Sequence, residues 1–595
     1  MPVTAPAPAA AAVQATPLPP TLKRPAGSRW SWAFLIDLAV FLFVFAAIYG
    51  TYSVGRAWLA PTHPQAQISQ NPRDLPLYAF YSLVRLSIAY AISLVFALSY
   101  GYLAASSRRL EIILIPLLDI LQSIPVLSFL PGVMLAMVAL FPHSELGIEL
   151  GSVLLIFTGQ VWNMAFSFYS SLKTVPRDLR EAAIIYRFSR WQRFAELDLP
   201  FSTIGLVWNS MMSVAGGWFF LMACEMFVLG SRDFRLPGLG SFLQVAASDG
   251  NTRAILWGIA AMVGVIVLLD QLVWRPVILW ADKFKFEQVE SSAAQQTTLL
   301  HLIGRASFVV RLYRLIFRPF FNWLTLLFTL SARRAAETFS TPKQHNLRRW
   351  LGNVLGAGVL VGMGIAIFHA AREISDLHRG DYVNLVQSAG LTFLRVNAAL
   401  LIGALWAVPT GVAIGFSPRL AKIAQPLAQI AASVPATALF PVILLFLIRL
   451  RGGLEIAAML VMLLGTQWYI LFNVIAGAMA IPTDLKEAAS IFRFSSWDRW
   501  RHLILPGIFP YLVTGLVTAS GNAWNASIIA EYFHFQGHTV STAGLGSTIS
   551  SASDAGRYDV LLASTLVMAT VVVLINRLVW RRLYRLASSR FKLEA

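Results

Sequence analysis

The stretch that decides the fold is Glu181–Pro200, EAAIIYRFSRWQRFAELDLP, which recurs in the same chain as Glu487–Pro506, EAASIFRFSSWDRWRHLILP. Twelve of the twenty positions are identical. Both copies are polar, basic segments that lie between long apolar runs. The chain is therefore a duplication, and each half presents the same loop to some other surface.

The composition indicates a polytopic membrane protein. Of the 595 residues, 57% are hydrophobic and only 13% are charged, whereas soluble domains carry about 25% charged residues. The net charge of +18 follows from the positive-inside rule applied to many cytosolic loops, so no nucleic acid partner is needed. A single cysteine, Cys224, excludes an internal disulfide, and no metal site or cofactor is suggested.

Each half contains six apolar runs long enough to cross a bilayer. We expect spans near 32–53, 77–104, 112–141, 148–173, 202–229 and 253–280, and near 351–371, 386–416, 423–449, 454–480, 508–534 and 558–580. This predicts an all-α polytopic membrane protein with two parallel six-helix repeats and twelve transmembrane helices. The third run of each half is interrupted by prolines, which kink or break helices: Pro116, Pro125 and Pro131, then Pro426, Pro435 and Pro441.

The predicted domain organisation follows from the repeats, which match at an offset of 310 residues from Arg85 to Pro131 and of 306 from Gly159 onward, with the four-residue change around 141–151. We expect a disordered tail at 1–30, repeat 1 at 31–282 with its core at 77–280, a cytosolic linker at 283–350, and repeat 2 at 351–595 with its core at 386–583. Residues 308–330 are apolar but carry three arginines, which favours an amphipathic helix on the membrane surface over a span.

Charge sets the expected orientation. The loops rich in lysine and arginine, including both copies of the repeated stretch, are predicted to be cytosolic, and so are both termini. Within each loop, a proline (Pro176 or Pro482) stops the preceding span, and an aspartate two residues later suits the first turn of a new helix. Ser189 and Ser495 are candidates to begin a second helix. We call residues 176–200 loop 1 and residues 482–506 loop 2.

The loops resemble the EAA loop of bacterial ABC-importer permeases, whose pattern is Glu-Ala-Ala, three residues, Gly, nine residues, Ile, one residue and Leu-Pro. The matching positions are Glu181, Ala182, Ala183, Leu199 and Pro200, then Glu487, Ala488, Ala489, Leu505 and Pro506. The resemblance implies a MetI-like permease fold in the bacterial cytoplasmic (inner) membrane. It also implies that each loop docks on one of two copies of an ATP-binding cassette subunit, and that an extracytoplasmic solute-binding protein delivers the substrate.

Three further features bear on this resemblance. The broader pattern is similar to the nitrate, sulfonate and bicarbonate branch of these permeases, which implies a small anion as substrate. No lysine follows a glycine, so the chain has no Gly-x-x-x-x-Gly-Lys phosphate loop, and a separate ATPase is expected. The glycine of the family pattern is replaced by Arg187 and Arg493. Arginine argues against a left-handed turn at this point, and could instead pair with an acidic group of the ATPase.

Polar residues inside the spans are candidates for the substrate pathway, because neutral donors could replace the hydration of an anion without trapping it. The alternative is hydrogen bonding between helices. The candidates are Gln160, Asn163, Trp218, Gln467, Asn522, Trp524 and Asn525. Arg85 and Arg395 are either anion-attracting charges at the pathway entrance or residues that snorkel or pair with a carbonyl. Glu225 and Glu531 either hold an outer gate, contact the binding protein or are exposed at the interface.

Two rival functions remain at the level of sequence. A secondary transporter with two parallel repeats would need acidic coupling residues near the membrane midplane; we find none, and the matched loops would have no purpose. A membrane-embedded enzyme would need a cluster of catalytic residues, which is not apparent. His534 and His538 are weak zinc candidates, since Gly537 breaks the helix between them.

Overall fold

The computed structural model describes residues 68–284 and 377–590, except 143, 230–231, 448–449, 451 and 536–537, together with scattered positions from 358 to 375. All of these residues belong to one unit of the fold. The predicted tail, the linker with its amphipathic helix and the span near 32–53 lie outside the described residues, and the span near 351–371 lies largely outside them.

Repeat 1 consists of helices joined by short connections. Its helices are α1 (Leu75–Ser106), α2 (Arg108–Ser123), α3 (Leu130–Leu140), α4 (Leu146–Thr174), α5 (Arg177–Ile185), α6 (Leu199–Glu225), α7 (Leu239–Ser248), α8 (Thr252–Leu269) and α9 (Arg275–Ala281). Two short strands, β1 (Val228–Leu229) and β2 (Arg232–Asp233), pair antiparallel between α6 and α7.

Repeat 2 has the same order of elements. Its helices are α10 (Arg379–Phe416), α11 (Pro418–Ser433), α12 (Ala436–Leu447), α13 (Gly453–Ala480), α14 (Thr483–Ile491), α15 (Leu505–Ala530), α16 (Leu545–Asp554), α17 (Tyr558–Ile575) and α18 (Arg581–Arg590). Strands β3 (Tyr532–Phe535) and β4 (His538–Ser541) form an antiparallel hairpin in which Tyr532 pairs with Ser541 and Phe535 with His538.

Eight helices among the described residues are long and apolar enough to cross a membrane, and a ninth is added if the bent pair α11–α12 counts as one span. The all-helical fold is confirmed, whereas the number twelve is not established. The predicted spans 202–229 and 508–534 run past the C-terminal ends of the observed helices. Their helices end at Glu225 and Ala530, and the chain then turns into the strands.

The third run of each half is two helices and not one continuous span. In repeat 1 the chain breaks at Ile124 and Pro125, and in repeat 2 at Val434 and Pro435, where the two helices meet at 82°. Proline pushes the residue before it out of the helical region, and Ile124 and Val434 have ψ angles of 128° and 116°. The other prolines of these runs lie at helix starts or inside helices.

The two repeats share one hydrophobic core. A continuous cluster of buried side chains includes residues of both halves, with Trp218 and Trp524 among its largest members. A smaller cluster around Phe168 packs within repeat 1. Because the halves are packed together through this core, contacts between them position the polar groups described below.

Candidate functional site

Loop 1 begins with helix α5, which starts directly after Pro176 and carries Asp178 in its first turn. The helix ends in a Schellman motif, in which the N–H of Phe188 donates to the carbonyl of Ala183 (2.9 Å) and the N–H of Arg187 donates to that of Ile184 (3.0 Å). This motif requires a left-handed residue at position 187, and Arg187 has φ of 50°.

Loop 2 repeats this geometry. Phe494 donates to the carbonyl of Ala489 and Arg493 donates to that of Ser490, both at 3.0 Å, and Arg493 has φ of 52°. The prediction that arginine would argue against a left-handed turn was therefore wrong. The two hydrogen bonds that close the helix hold the arginine in the conformation that a glycine would adopt freely.

The second helical turn of each loop starts as predicted. Ser189 Oγ accepts from the N–H of Gln192 at 3.1 Å, and the Gln192 side chain accepts from the N–H of Ser189 at 2.9 Å. This reciprocal pair is a capping box. In loop 2, Ser495 Oγ accepts from the N–H of Asp498 at 3.1 Å. A π-helical segment then leads into α6 at Leu199-Pro200, and into α15 at Leu505-Pro506.

Each loop exposes large apolar side chains beside the Glu-Ala-Ala motif. Ile184, Ile185 and Tyr186 are 72–76% exposed, and Ile491 and Phe492 are 77% and 74% exposed. Glu181 and Glu487 are exposed as well, whereas Ala183 and Ala489 are buried against the protein itself. Sequence reasoning emphasised the alanines and missed the isoleucines, although their position in the same helical turn as the glutamate was visible in both copies.

Arg85 lies in a buried charge cluster. Its side chain is 1% exposed; Nε and Nη2 donate to the two carboxylate oxygens of Glu149 at 2.5 and 2.7 Å, and Nη1 donates to Glu225 at 2.8 Å. Nη1 also donates to the carbonyl of Pro237 at 2.8 Å. Pairing with a carbonyl was one of the alternatives left open by the sequence. Arg85 is not a free anion-attracting charge in this structure, because it is already paired with two carboxylates.

Arg395 makes the corresponding contacts in repeat 2 with one carboxylate fewer. Its Nη1 donates to Glu531 at 2.8 Å and its Nη2 to the hydroxyl of Thr542 at 2.9 Å. The residue 306 positions after Glu149 is also a glutamate, Glu455, but it is exposed. Arg395 is 12% exposed and is held by Glu531, so it too is a structural ion-pair residue and not a free charge.

Glu225 and Glu531 are fully buried, which contradicts the expectation of interfacial exposure. Glu225 accepts hydrogen bonds from the hydroxyl of Ser82 at 2.7 Å and the N–H of Gly240 at 2.8 Å, and Ser82 in turn accepts from the N–H of Leu239 at 3.0 Å. Thus the glutamate joins α1 and α6 to the start of α7, and cannot directly contact a binding protein in this conformation.

In repeat 2 the same connection is made by Glu531. It accepts from the hydroxyl of Thr392 at 2.8 Å and from the N–H of Gly546 at 2.9 Å, and Thr392 accepts from the N–H of Leu545 at 2.8 Å. The repeated Gly-Leu-Gly-Ser motif is explained by this contact. A Cβ at Gly238 or Gly544 would overlap the carboxyl group of the glutamate.

The structure separates the residues predicted to line the pathway. Trp218 and Trp524 are core residues, Asn163 is half-buried on α4, and Gln467 accepts a hydrogen bond from the indole of Trp406 at 3.1 Å. Gln160 is buried on α4, and its side-chain amide has no hydrogen-bond partner within the described part of the chain. Of the described residues that were predicted to line the pathway, only Asn522 is part of the wall of the cavity between α6 and repeat 2.

Asn525 connects the two repeats. Its Oδ1 accepts from the backbone N–H of Leu127, at the break between α2 and α3, at 3.3 Å. The residue 306 positions before Asn525 is Phe219, which has no amide to offer to the equivalent break in repeat 2. Hydrogen bonding between helices, the alternative left open by the sequence, is therefore the observed role of Asn525.

The cavity that contains Asn522 lies between α6 of repeat 1 and four helices of repeat 2. Its wall includes Gly216 and Phe219 on one side and Pro435, Trp468, Tyr469 and Asn522 on the other. It carries no ionisable carboxylate, lysine or arginine. Tyr469 and Pro435 were not predicted to line a cavity. The helix break at Pro435 was predicted, and Pro435 forms part of the wall of this cavity.

A second cavity lies between the repeats at the ends of α6 and α15. It is lined by Met226 and Phe227 of repeat 1 and by Tyr532, His534 and Asp554 of repeat 2, among others. Burial and the hydrogen bond to Asp554 (2.6 Å) raise the pKa of Tyr532. His534 lies 3.3 Å from Asp554. His534 and His538 lie on opposite strands of the hairpin, and the described residues contain no group of three metal-ligating side chains.

Duplicated apolar helices with a broken third run in each half define a multi-pass membrane protein. The family match and the relatives identify it as a transport permease and not an enzyme. The chain belongs to the family described as binding-protein-dependent transport system inner membrane component, which it matches twice, over residues 97–273 and 399–592. The two matches cover more than half of the chain and show that the permease domain is duplicated.

Individual relatives match between about a quarter and a third of the chain each. The nitrate import permease protein NrtB of Leptolyngbya laminosa is 28% identical over 208 residues, which is 35% of this chain and 71% of that protein. The taurine transport system permease protein TauC of Escherichia coli is 28% identical over 192 residues, 32% of this chain and 66% of that protein. The bicarbonate transport system permease protein CmpB of Synechocystis sp. is 30% identical over 155 residues, 26% of this chain and 52% of that protein.

Proposed function

We propose that this chain supplies both membrane halves of an ABC importer in the bacterial cytoplasmic membrane and carries a small anion inward. Loops 1 and 2 each dock one copy of an ATP-binding cassette subunit on the cytosolic side. An extracytoplasmic solute-binding protein delivers the anion to the opposite side. ATP-driven closure of the two subunits moves α5 and α14, and the attached helices rock between inward-open and outward-open states.

The observation that carries the coupling role is the exposed apolar surface of the loops. Ile185 and Tyr186 in loop 1, and Ile491 and Phe492 in loop 2, are each about three-quarters exposed. Burying such side chains at an interface would contribute roughly 25 cal/mol of free energy per Å² of apolar area removed from water. Clusters of exposed apolar side chains are therefore typical of interaction sites. Their recurrence at equivalent positions supports two equivalent docking sites.

The choice of an anion rests on the relatives and on the cavity between the repeats. Relatives named for nitrate, taurine and bicarbonate share an anionic group in the substrate. The cavity offers the hydroxyl of Tyr469 and the amide of Asn522 without a fixed charge. Neutral donors can replace hydration and still release the ion, which suits a pathway better than a storage site.

The docking assignment is tested by Glu181→Lys combined with Glu487→Lys. Both carboxylates are exposed, so the variant is expected to insert and fold normally while losing co-purification with the ATPase subunit. Glu455→Lys, another exposed glutamate outside the loops, is the matched control. Full ATPase binding by the double variant would refute docking through the loops.

A transport measurement separates the proposal from a secondary transporter. Proteoliposomes that contain the permease, the ATPase and the cognate binding protein are expected to accumulate nitrate, a sulfonate or bicarbonate only when ATP is enclosed with the ATPase. Uptake that needs an ion gradient and ignores ATP would establish the rival function. Comparing the three anions identifies the substrate.

A further inference from the structure

Among the described residues, only Arg187 and Arg493 combine a side chain with positive φ, and they occupy equivalent positions in the two loops. The left-handed conformation brings Cβ close to the following carbonyl oxygen, so an L-residue is unfavourable where glycine is not. Each arginine sits at the first residue beyond its helix in a Schellman motif, the position at which glycine predominates. Glycine would thus satisfy the backbone better in both loops.

Nothing in the described part of the chain compensates for this conformation through the arginine side chain. Both side chains are exposed, and neither forms an ion pair or a side-chain hydrogen bond with another described residue. Unfavourable backbone conformations that persist at exposed positions are characteristic of functional sites. The side chain, and not the turn, must therefore account for arginine at both positions.

The surroundings define what the arginine can meet. Next to Arg187 are the exposed Tyr186 and Ile185, and the exposed Glu181 lies four residues, about one helical turn, before Ile185. The resulting surface is an apolar patch with a carboxylate near one end and a guanidinium at the other. A complementary groove would be apolar with an acidic group at its rim, where guanidinium pairs with carboxylate in a bidentate manner.

We propose that Arg187 and Arg493 each pair with a carboxylate at the rim of the docking groove of the ATPase subunit, and that two copies of one such subunit occupy the two loops. This inference rests on the proposed function. The two loops end in the same hydrogen-bonded turn, with φ of 50° and 52° at the arginine. A single kind of groove therefore fits both of them.

An anionic lipid surface is the other possible partner for an exposed arginine beside isoleucines. The exposed carboxylates on the same helices, Asp178 and Glu181 in loop 1 and Asp484 and Glu487 in loop 2, oppose it, because an anionic bilayer repels them. A protein groove can place a cation opposite each carboxylate, whereas a lipid surface of one sign cannot.

The test measures ATPase binding by the full chain in vesicles, with Arg187→Gly plus Arg493→Gly as the main variant. Glycine retains the turn and removes only the side chain, so thermal stability of the permease should not fall. The matched charge control is Arg419→Ala, which removes an exposed arginine from the first turn of α11, outside both loops. Arg187→Lys plus Arg493→Lys keeps the charge, and Glu181→Lys plus Glu487→Lys reports on docking as such.

We expect the glycine variant to bind the ATPase about tenfold more weakly for each loop, with weaker dependence on salt. The lysine variant should recover a large part of this loss, and Arg419→Ala should bind as the wild type does. If the glycine variant binds normally while Glu181→Lys plus Glu487→Lys does not, the arginine contact is refuted and docking stands. If no variant affects binding, the proposed function fails as well.

Lipid composition provides the remaining comparison. The loss caused by the glycine variant should be the same in pure phosphatidylcholine vesicles and in vesicles containing phosphatidylglycerol. A loss that appears only with phosphatidylglycerol would assign the arginines to the lipid surface and overturn the proposal. Native mass spectrometry of the complex should show two copies of one ATPase subunit for each permease chain, and a complex of two different subunits would contradict the second half of the proposal.

Discussion

Replacing Glu531 by glutamine should destabilise the protein much more than replacing Glu225, although the two residues are equivalent in the duplication. Both are fully buried and both accept hydrogen bonds from an arginine, a hydroxyl and a glycine N–H. The two variants differ in which carboxylates remain to pair with the arginine. Among the described residues, Glu531 is the one carboxylate that pairs with Arg395, so Glu531→Gln leaves this arginine without a carboxylate, whereas Arg85 retains both hydrogen bonds to Glu149.

The magnitudes follow from these contacts. Removing one partner of a buried ion pair costs about 3–5 kcal/mol because an uncompensated charge remains, and this applies to Glu531→Gln. Glu225→Gln loses hydrogen bonds to a charged acceptor but leaves the guanidinium paired, which costs about 1–3 kcal/mol. The double variant Glu149→Gln plus Glu225→Gln leaves Arg85 without a carboxylate, so its cost should exceed the sum of the two single variants.

The assay is thermal unfolding of the purified full chain in detergent. The folded fraction that remains after heating to each temperature is measured by size-exclusion chromatography. Glu455→Gln, at an exposed glutamate, should change the midpoint little and serves as the control. We expect the order Glu455→Gln, Glu225→Gln, Glu531→Gln in increasing loss. Equal losses for Glu225→Gln and Glu531→Gln, or strict additivity of the Glu149 and Glu225 variants, would show that the carboxylates left to each arginine do not set the cost.

Three further predictions concern other contacts between elements. Gly238→Ala and Gly544→Ala should each lower the unfolding midpoint, at a cost of about 1–3 kcal/mol, because the new Cβ overlaps a glutamate carboxyl group; an unchanged midpoint would contradict the contact. Asn525→Ala should destabilise by about 1–3 kcal/mol by leaving the N–H of Leu127 without its acceptor, and an unchanged midpoint would contradict this contact. Tyr469→Phe and Asn522→Ala should slow ATP-driven anion uptake in proteoliposomes without lowering ATPase binding, and normal uptake by both would exclude the cavity as the pathway.

Several features of the fold were predictable because they depend on local sequence. Apolar runs of about 20 residues must be helical in a membrane, since the bilayer offers no hydrogen bonds to the backbone. Proline at 125 and 435 breaks the helix through its effect on the preceding residue. The start of each loop helix after Pro176 and Pro482 also followed from local rules.

Other features could not be read from single positions. A glutamate at the end of an apolar helix looks the same in sequence whether it faces water or a buried arginine, so the burial of Glu225 and Glu531 was not predicted. The conformation of Arg187 was mispredicted because intrinsic preference favours glycine there. The hydrogen bonds of the helix end outweigh that preference.

The duplicated sequence by itself determined that the protein crosses the membrane repeatedly and presents two matching loops, because bilayer thickness and the repeat act along the chain. Only the tertiary structure decided which polar residues meet: Arg85 with Glu149 and Glu225, Arg395 with Glu531, and Asn525 with the broken helix of the other repeat. These contacts join residues 64 to 398 positions apart. The packing of helices against each other creates them, and no periodicity along the chain encodes such pairings.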